Sequence, residues 1–261
     1  MLGKLFKHEM KATARLLLPL YLVLAVFTVM DRIVIYLDIF KGVLKVIPGF
    51  ITAGYILSII ALTIVSSVII ILRFYRNLMT DEGYLMFTLP VKSHELINSK
   101  LLASCIWTVG SAIAVIASLL IVFSGSSFFS SLPDLWKLML DEMRRTFGTN
   151  MMLLGIEFSI LLVINVLNGI LMIYVSIAIG QLFNGHKVLG SFAAYIVLNI
   201  IIQVVTTIIT VIFSLIFNHT IVEINTLPEV ILPMSILFIL ILTVAYYLVT
   251  NYIFKKKLNL D

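Results

Sequence analysis

Apolar residues fall along this chain in six long blocks, separated by shorter runs that carry the charges. The blocks run from about Leu16 to Leu37, Ile51 to Leu72, Leu101 to Phe123, Met151 to Phe183, Val188 to Phe217 and Val230 to Phe254. A helix needs about 20 apolar residues to cross the hydrocarbon of a bilayer. Every block reaches that length, and the fourth and fifth exceed it, which predicts tilt or projection beyond the lipid. The pattern therefore predicts an all-α membrane protein with six transmembrane helices, forming one transmembrane domain over residues 1–261. No internal repeat divides it.

Composition sharpens this reading. Of 261 residues, 61% are hydrophobic and 12% charged, and the mean hydropathy is +1.15. Soluble domains carry about 25% charged residues. Too little polar side chain is present to cover a water-facing surface, so a soluble enzyme, a disordered regulator and a secreted disulfide scaffold are excluded. Six spans also leave no room for a soluble ATPase domain. The formal charge of +5 is what Lys and Arg at cytoplasmic edges produce, and no nucleic-acid partner is expected. The single cysteine, Cys105, lies inside an apolar run and reads as a small packing residue.

Orientation follows from the bases. Lys4, Lys7, Lys11, Arg15, Arg73, Arg76, Lys92, Lys100, Lys187, Lys255, Lys256 and Lys257 fall on one side; Arg32, Lys41, Lys45, Lys137, Arg144 and Arg145 fall on the other. The excess predicts both termini in the cytoplasm, in the plasma membrane of a bacterium. The first block reads as a retained span, because no small-residue cleavage pattern follows it.

Three stretches lie outside the lipid on this reading. Met1–Arg15 is amphipathic, with Leu2, Leu5, Phe6 and Met10 near one face, and predicts a helix lying in the membrane interface. Ser124–Asn150 predicts a second surface-lying helix, capped by Ser131 with Pro133 in its first turn and Leu132, Leu135, Trp136, Met139 and Met143 at helical spacing. The loop after the second span is the most informative. Thr80 is a good helix cap, and Asp81 and Glu82 favour the positive end of a helix. Tyr84, Leu85, Phe87 and Leu89 make a short apolar surface, Pro90 stops it, and Ser93 can start the helix that feeds span three. Aromatic groups exposed in a loop call for a partner surface.

The run Thr80-Asp-Glu-Gly-Tyr-Leu-Met-Phe-Thr-Leu-Pro-Val-Lys-Ser-His-Glu-Leu-Ile-Asn-Ser-Lys-Leu-Leu102 resembles the loop after the second span in type-2 ABC exporter permeases of Gram-positive bacteria. The layout is similar over the whole chain: an amphipathic start, six spans, both ends inside. The resemblance implies a subunit that pairs as a homo- or heterodimer and binds two copies of a separate ATPase. It implies that Thr80, Asp81, Glu82, Gly83, Tyr84, Leu85, Phe87 and Leu89 form a coupling helix seated in the ATPase. Asn184, Gly185 and His186, with Lys187, would make a second cytoplasmic contact. ATP and Mg would sit on that partner, with no cofactor in this chain. The sequence departs from the family between spans five and six. Better known members carry outer helices there, whereas the loop of about Asn218–Glu229 is short, so no exit gate is carried over.

The remaining motifs are mostly absences. No G-x-x-x-x-G-K-[ST] phosphate loop, H-E-x-x-H pair or G-x-S-x-G element occurs, so the chain is not expected to be an enzyme. The four histidines have no metal-ligand spacing. Polar residues inside the spans are more informative, because each costs free energy in hydrocarbon unless it finds a partner or water. In span five, Asn199, Gln203, Thr206, Thr207, Thr210 and Ser214 fall within about a third of the circumference. In span four, Glu157, Asn165 and Asn168 fall within about 80°, and Glu157 reads as the only acid well inside a span. Both stripes are candidates to line a translocation path, or to bond neighbouring helices at about 0.6 kcal/mol each. Gly110, Ala114 and Ser118, and Gly190 with Ala194, read as close-packing positions. Two other functions stay open on the sequence: an ion-coupled secondary transporter working through Glu157, and a non-transporting immunity or assembly partner.

Overall fold

A computed structural model describes residues 2–37, 46–79, 93–124, 127–183, 185–216 and 227–256. Among these residues the chain is all helical. Seven α-helices follow one another: α1 (Leu2–Leu37), α2 (Val46–Met79), α3 (Ser93–Phe123), α4 (Ser127–Phe147), α5 (Met151–Gly180), α6 (Lys187–Ile216) and α7 (Leu232–Lys256). A 3-10 turn, Gly148–Asn150, precedes α5, and a π-helical turn, Leu227–Ile231, precedes α7. All but α4 are long and apolar enough to cross a membrane. The chain is a six-span helical membrane protein.

Helix α2 outruns its predicted block at both ends, and both predicted surface-lying helices differ. No separate interfacial helix precedes span one; α1 runs unbroken through Arg15 and Leu16. The reason is a single seam of inward positions. Glu9, Thr13, Leu17, Leu24, Thr28 and Asp31 are all buried, at spacings that keep them on one helical face. Lys4, Lys7, His8, Lys11 and Arg15 are exposed on the rest of the same helix. The amphipathic pattern of the first fifteen residues is thus the lower part of one long seam. The second difference concerns α4. It starts at Ser127, so Ser131 and Pro133 lie within the helix instead of capping it. It ends at Gly148, whose φ of 51° is a conformation that glycine adopts without a steric penalty. Ser93 does begin α3, with Glu95 in its first turn, as the acidic start of a helix favours.

The chain forms two compact units. The first comprises residues 1–73 and 98–136 and the second residues 74–97 and 137–261. In the first, Leu24, Tyr55, Leu62 and Val122 form a buried core, with Tyr21 and Phe27 packed against it. Gly54 makes room for the Phe27 ring, which a Cβ there would strike. Hydroxyls that enter this core are paired: Tyr21 with Ser111 at 2.8 Å, Tyr55 with Ser118 at 3.1 Å. Thr52 donates to Asp31 at 2.6 Å.

In the second unit α5 packs along α7 and α6. Phe74 stacks on Tyr174, with ring centroids 3.6 Å apart, and meets Phe254 edge-on at 5.9 Å. Asn168 of α5 donates to Thr243 Oγ1 of α7 at 3.1 Å, and Asn150 donates to Glu229 of the π-helical turn at 2.9 Å. The turn into α6 is tight. Gly185 has φ 93°, and Gly180 lies so close to Ser191 that a Cβ would fall 2.6 Å from its Cα.

Candidate functional site

The most concentrated chemistry is a charged cluster in the first unit. Glu9 of α1 accepts from Lys100 Nζ of α3 at 2.6 Å through Oε1. Its Oε2 accepts from Arg73 of α2, from Nη2 at 2.7 Å and from Nε at 3.2 Å. The side chains of Lys100 and Glu9 are 4% and 7% exposed, and that of Arg73 is 18% exposed. Charge-assisted bonds of this kind are the strong ones. A single buried carboxylate therefore holds two bases from two other helices.

The position of the two bases gives the cluster its interest. Arg73 lies seven residues before Thr80 on the helix that enters the loop, and Lys100 lies on the helix that leaves it. Arg73 is the last residue of the first unit along α2, and Phe74 is the first of the second. Sequence reasoning listed Arg73 and Lys100 only as topological charges and missed Glu9. The available signal was that Glu9 is the single acid among the first fifteen residues, surrounded by four Lys or Arg.

The segment predicted to couple to an ATPase, Thr80–Leu89, lies outside the described residues, and so does Asn184. Of the other members of the predicted second contact, Gly185 and His186 are exposed and Lys187 is half-buried. Gly185 and His186, with Lys187, Val188, Leu189 and Tyr75, line an open groove of about 560 Å³.

The intramembrane candidates separate into different environments. Glu157 is 8% exposed, and its Oε2 has no hydrogen-bond partner among the described residues. It is not the only acid buried within a span-forming helix: Glu9 and Asp31 are 5% and 1% exposed. The sequence missed this because it placed Glu9 in an interfacial stretch ending at Arg15 and Asp31 beside the charges at the outer end of span one. Asn168 is half-buried and faces α7, whereas Asn165 is exposed and donates to its own helix at Leu161 O, 2.9 Å away. The two asparagines are therefore not brought to one site.

On α6 the polar stripe is largely exposed, and its donors turn back onto their own helix. Asn199 donates to Tyr195 O, Thr206 to Ile202 O, Thr207 to Gln203 O and Thr210 to Thr206 O, all at 2.7–2.9 Å. Gln203 and Ser214 are exposed beside them. Among the described residues no group of His, Cys, Asp and Glu is placed to hold a metal ion.

Seven helices, six of them span-forming, a buried three-helix charge cluster and an exposed polar stripe define a multi-pass helical membrane protein. No protein-family model, curated protein or solved structure matches the chain.

Proposed function

We propose that the chain is the membrane-spanning permease subunit of an ATP-driven exporter, moving a peptide, antibiotic or lipid-like substrate out of a bacterial cell. The observation that carries this reading is the run Thr80–Leu102, whose sequence puts Tyr84 and Phe87 between two long helices. A separate ATPase would receive Thr80–Leu89, and the groove at Gly185 and His186 offers it a second contact. That ATPase would hold ATP and Mg and hydrolyse the nucleotide. Two permease subunits, identical or different, would enclose the substrate path.

The charge cluster supports a mechanical account. A push on the loop enters α2 and α3 at once. Both helices are tied to Glu9 of α1, so the three ends move together instead of splaying. Their displacement would tilt spans one to three and open the opposite face. The exposed polar stripe of α6 would face the path.

Purification of the tagged full chain from its native membrane, followed by mass spectrometry of the intact complex, tests the reading. A phosphate-loop ATPase is expected in the complex, captured by photo-crosslinkers placed at Tyr84 and Phe87. Replacing both residues by Glu should leave membrane insertion intact and abolish transport-stimulated ATP hydrolysis. Crosslinks that reach only lipid or the chain's own helices would remove the proposal.

A further inference from the structure

Helix α1 has two opposite sides. Its buried seam, Glu9, Thr13, Leu17, Leu24, Thr28 and Asp31, covers about 100° of the circumference, since each residue advances the helix by about 100°. Lys4, Lys7, His8, Lys11 and Arg15 fall on the other side, within a second arc of about 100°, and all of them are exposed. Both acids of α1 lie in the seam, and Glu9 is already held by Arg73 and Lys100. None of the exposed bases makes an ion pair or hydrogen bond among the described residues. Lys7, Lys11 and Arg15 stand in one row, each about 6 Å along the axis from the next, where like charges repel. Nothing on the helix neutralises that row, which fits it to an anion.

The kind of anion follows from the rest of the same face. Beyond Arg15 the arc continues as Leu18, Leu22, Val26, Val29 and Ile33, all apolar and 46–64% exposed. One continuous exposed face is thus apolar for about 23 Å and basic at one end. That order matches acyl chains ending in negatively charged headgroups. An acidic protein surface or a free phosphate would match the basic end alone. The height agrees. Arg15 lies about 24 Å along the axis from Asp31 and Lys11 about 30 Å, and the hydrocarbon is about 30 Å thick. Its edge set at Arg15 or at Lys11 leaves the row at the headgroup layer, which is about 5–8 Å deep. The long stems of Lys and Arg carry their charges to that layer.

We propose that the row Lys7, Lys11 and Arg15, flanked by Lys4 and His8, binds the phosphate headgroups of anionic phospholipids. The clamp at Glu9 fixes the opposite side of α1 to α2 and α3, so the row is presented in a set direction. The proposal rests on the six-span fold and not on the exporter reading.

The test uses the purified full chain in nanodiscs of phosphatidylcholine, alone or with phosphatidylglycerol mixed in. Thermal unfolding is followed, and native mass spectrometry counts the lipids retained. The wild type is expected to unfold several degrees higher with phosphatidylglycerol, to retain it in preference to phosphatidylcholine, and to lose the gain as NaCl is raised. The triple variant Lys7→Gln/Lys11→Gln/Arg15→Gln should lose most of the gain and the preference. Arg144→Gln/Arg145→Gln on α4 should keep both. An equal gain in the wild type and the triple variant, or an equal loss in the α4 variant, overturns the site. Inorganic phosphate added to phosphatidylcholine nanodiscs should give no gain at matched ionic strength; a gain as large as that from phosphatidylglycerol marks a free-anion site and overturns the lipid assignment. Should the triple variant fail to insert, Lys11→Gln alone takes its place. Retention of phosphatidylglycerol weakened several-fold supports the site, and unchanged retention overturns it.

Discussion

Removing the negative charge of Glu9 is the most revealing perturbation of the first unit. The cluster holds two cations and one anion, with side chains 4–18% exposed. In Glu9→Gln the amide oxygen can still accept one bond, but two buried bases are left without a counter-charge. Breaking a buried ion pair by removing one partner costs about 3–5 kcal/mol, and the partial exposure of Arg73 places the expectation near about 3 kcal/mol. Lys100→Met behaves differently. It removes the surplus cation, keeps an apolar stem of similar length, and leaves Glu9 paired with Arg73. Its expected cost is below about 2 kcal/mol. The double variant should then cost less than the two single changes together, by at least about 1 kcal/mol. Unfolding of the full chain in mixed micelles, followed by denaturant titration, measures all three. A Glu9→Gln protein within about 0.5 kcal/mol of wild type, or a Lys100→Met protein less stable than Glu9→Gln, would refute the buried-clamp reasoning.

The same unfolding assay checks three further expectations. Phe74→Ala, which empties the space between Tyr174 and Phe254, should cost about 3–5 kcal/mol. Gly180→Ala drives a methyl into the Ser191 backbone and should cost about 1–3 kcal/mol. Tyr55→Phe, by contrast, should cost only about 0.6 kcal/mol, because Ser118 keeps its bond to Val115 O at 2.8 Å. Trp136 on α4 is 59% exposed; with Trp107 replaced by Phe, its fluorescence should be quenched by lipids brominated near the headgroup if α4 lies in the interface.

The six spans were legible because apolar length is a local property that a bilayer reads directly. Their ends were less so. Helix α2 continues through Arg73 and Arg76 to Met79, since nothing in those residues stops a helix when the apolar run does. The join at Arg15 was hidden for a related reason: Glu9 and Thr13 look polar in sequence, yet share a buried face with Leu17 and Leu24. Partners of Glu9 lie 64 and 91 residues away, and no periodicity within α1 encodes them. The polar stripes were visible as stripes, but their bonding was not. Whether Asn165 or Asn168 reaches another helix depends on about 60° of rotation against α7, which only packing decides.

Helix α6 carries a final consequence. Its threonine hydroxyls and the Asn199 amide each reach a carbonyl of their own backbone, and none of its most apolar stretch is buried. The energy of those donors is therefore nearly indifferent to surroundings, whether acyl chains, water or a neighbouring protein. Such a rod can enter the bilayer before any companion has arrived. The Asn199, Thr206, Thr207 and Thr210 donors can later trade one environment for another without first breaking a bond to a different helix.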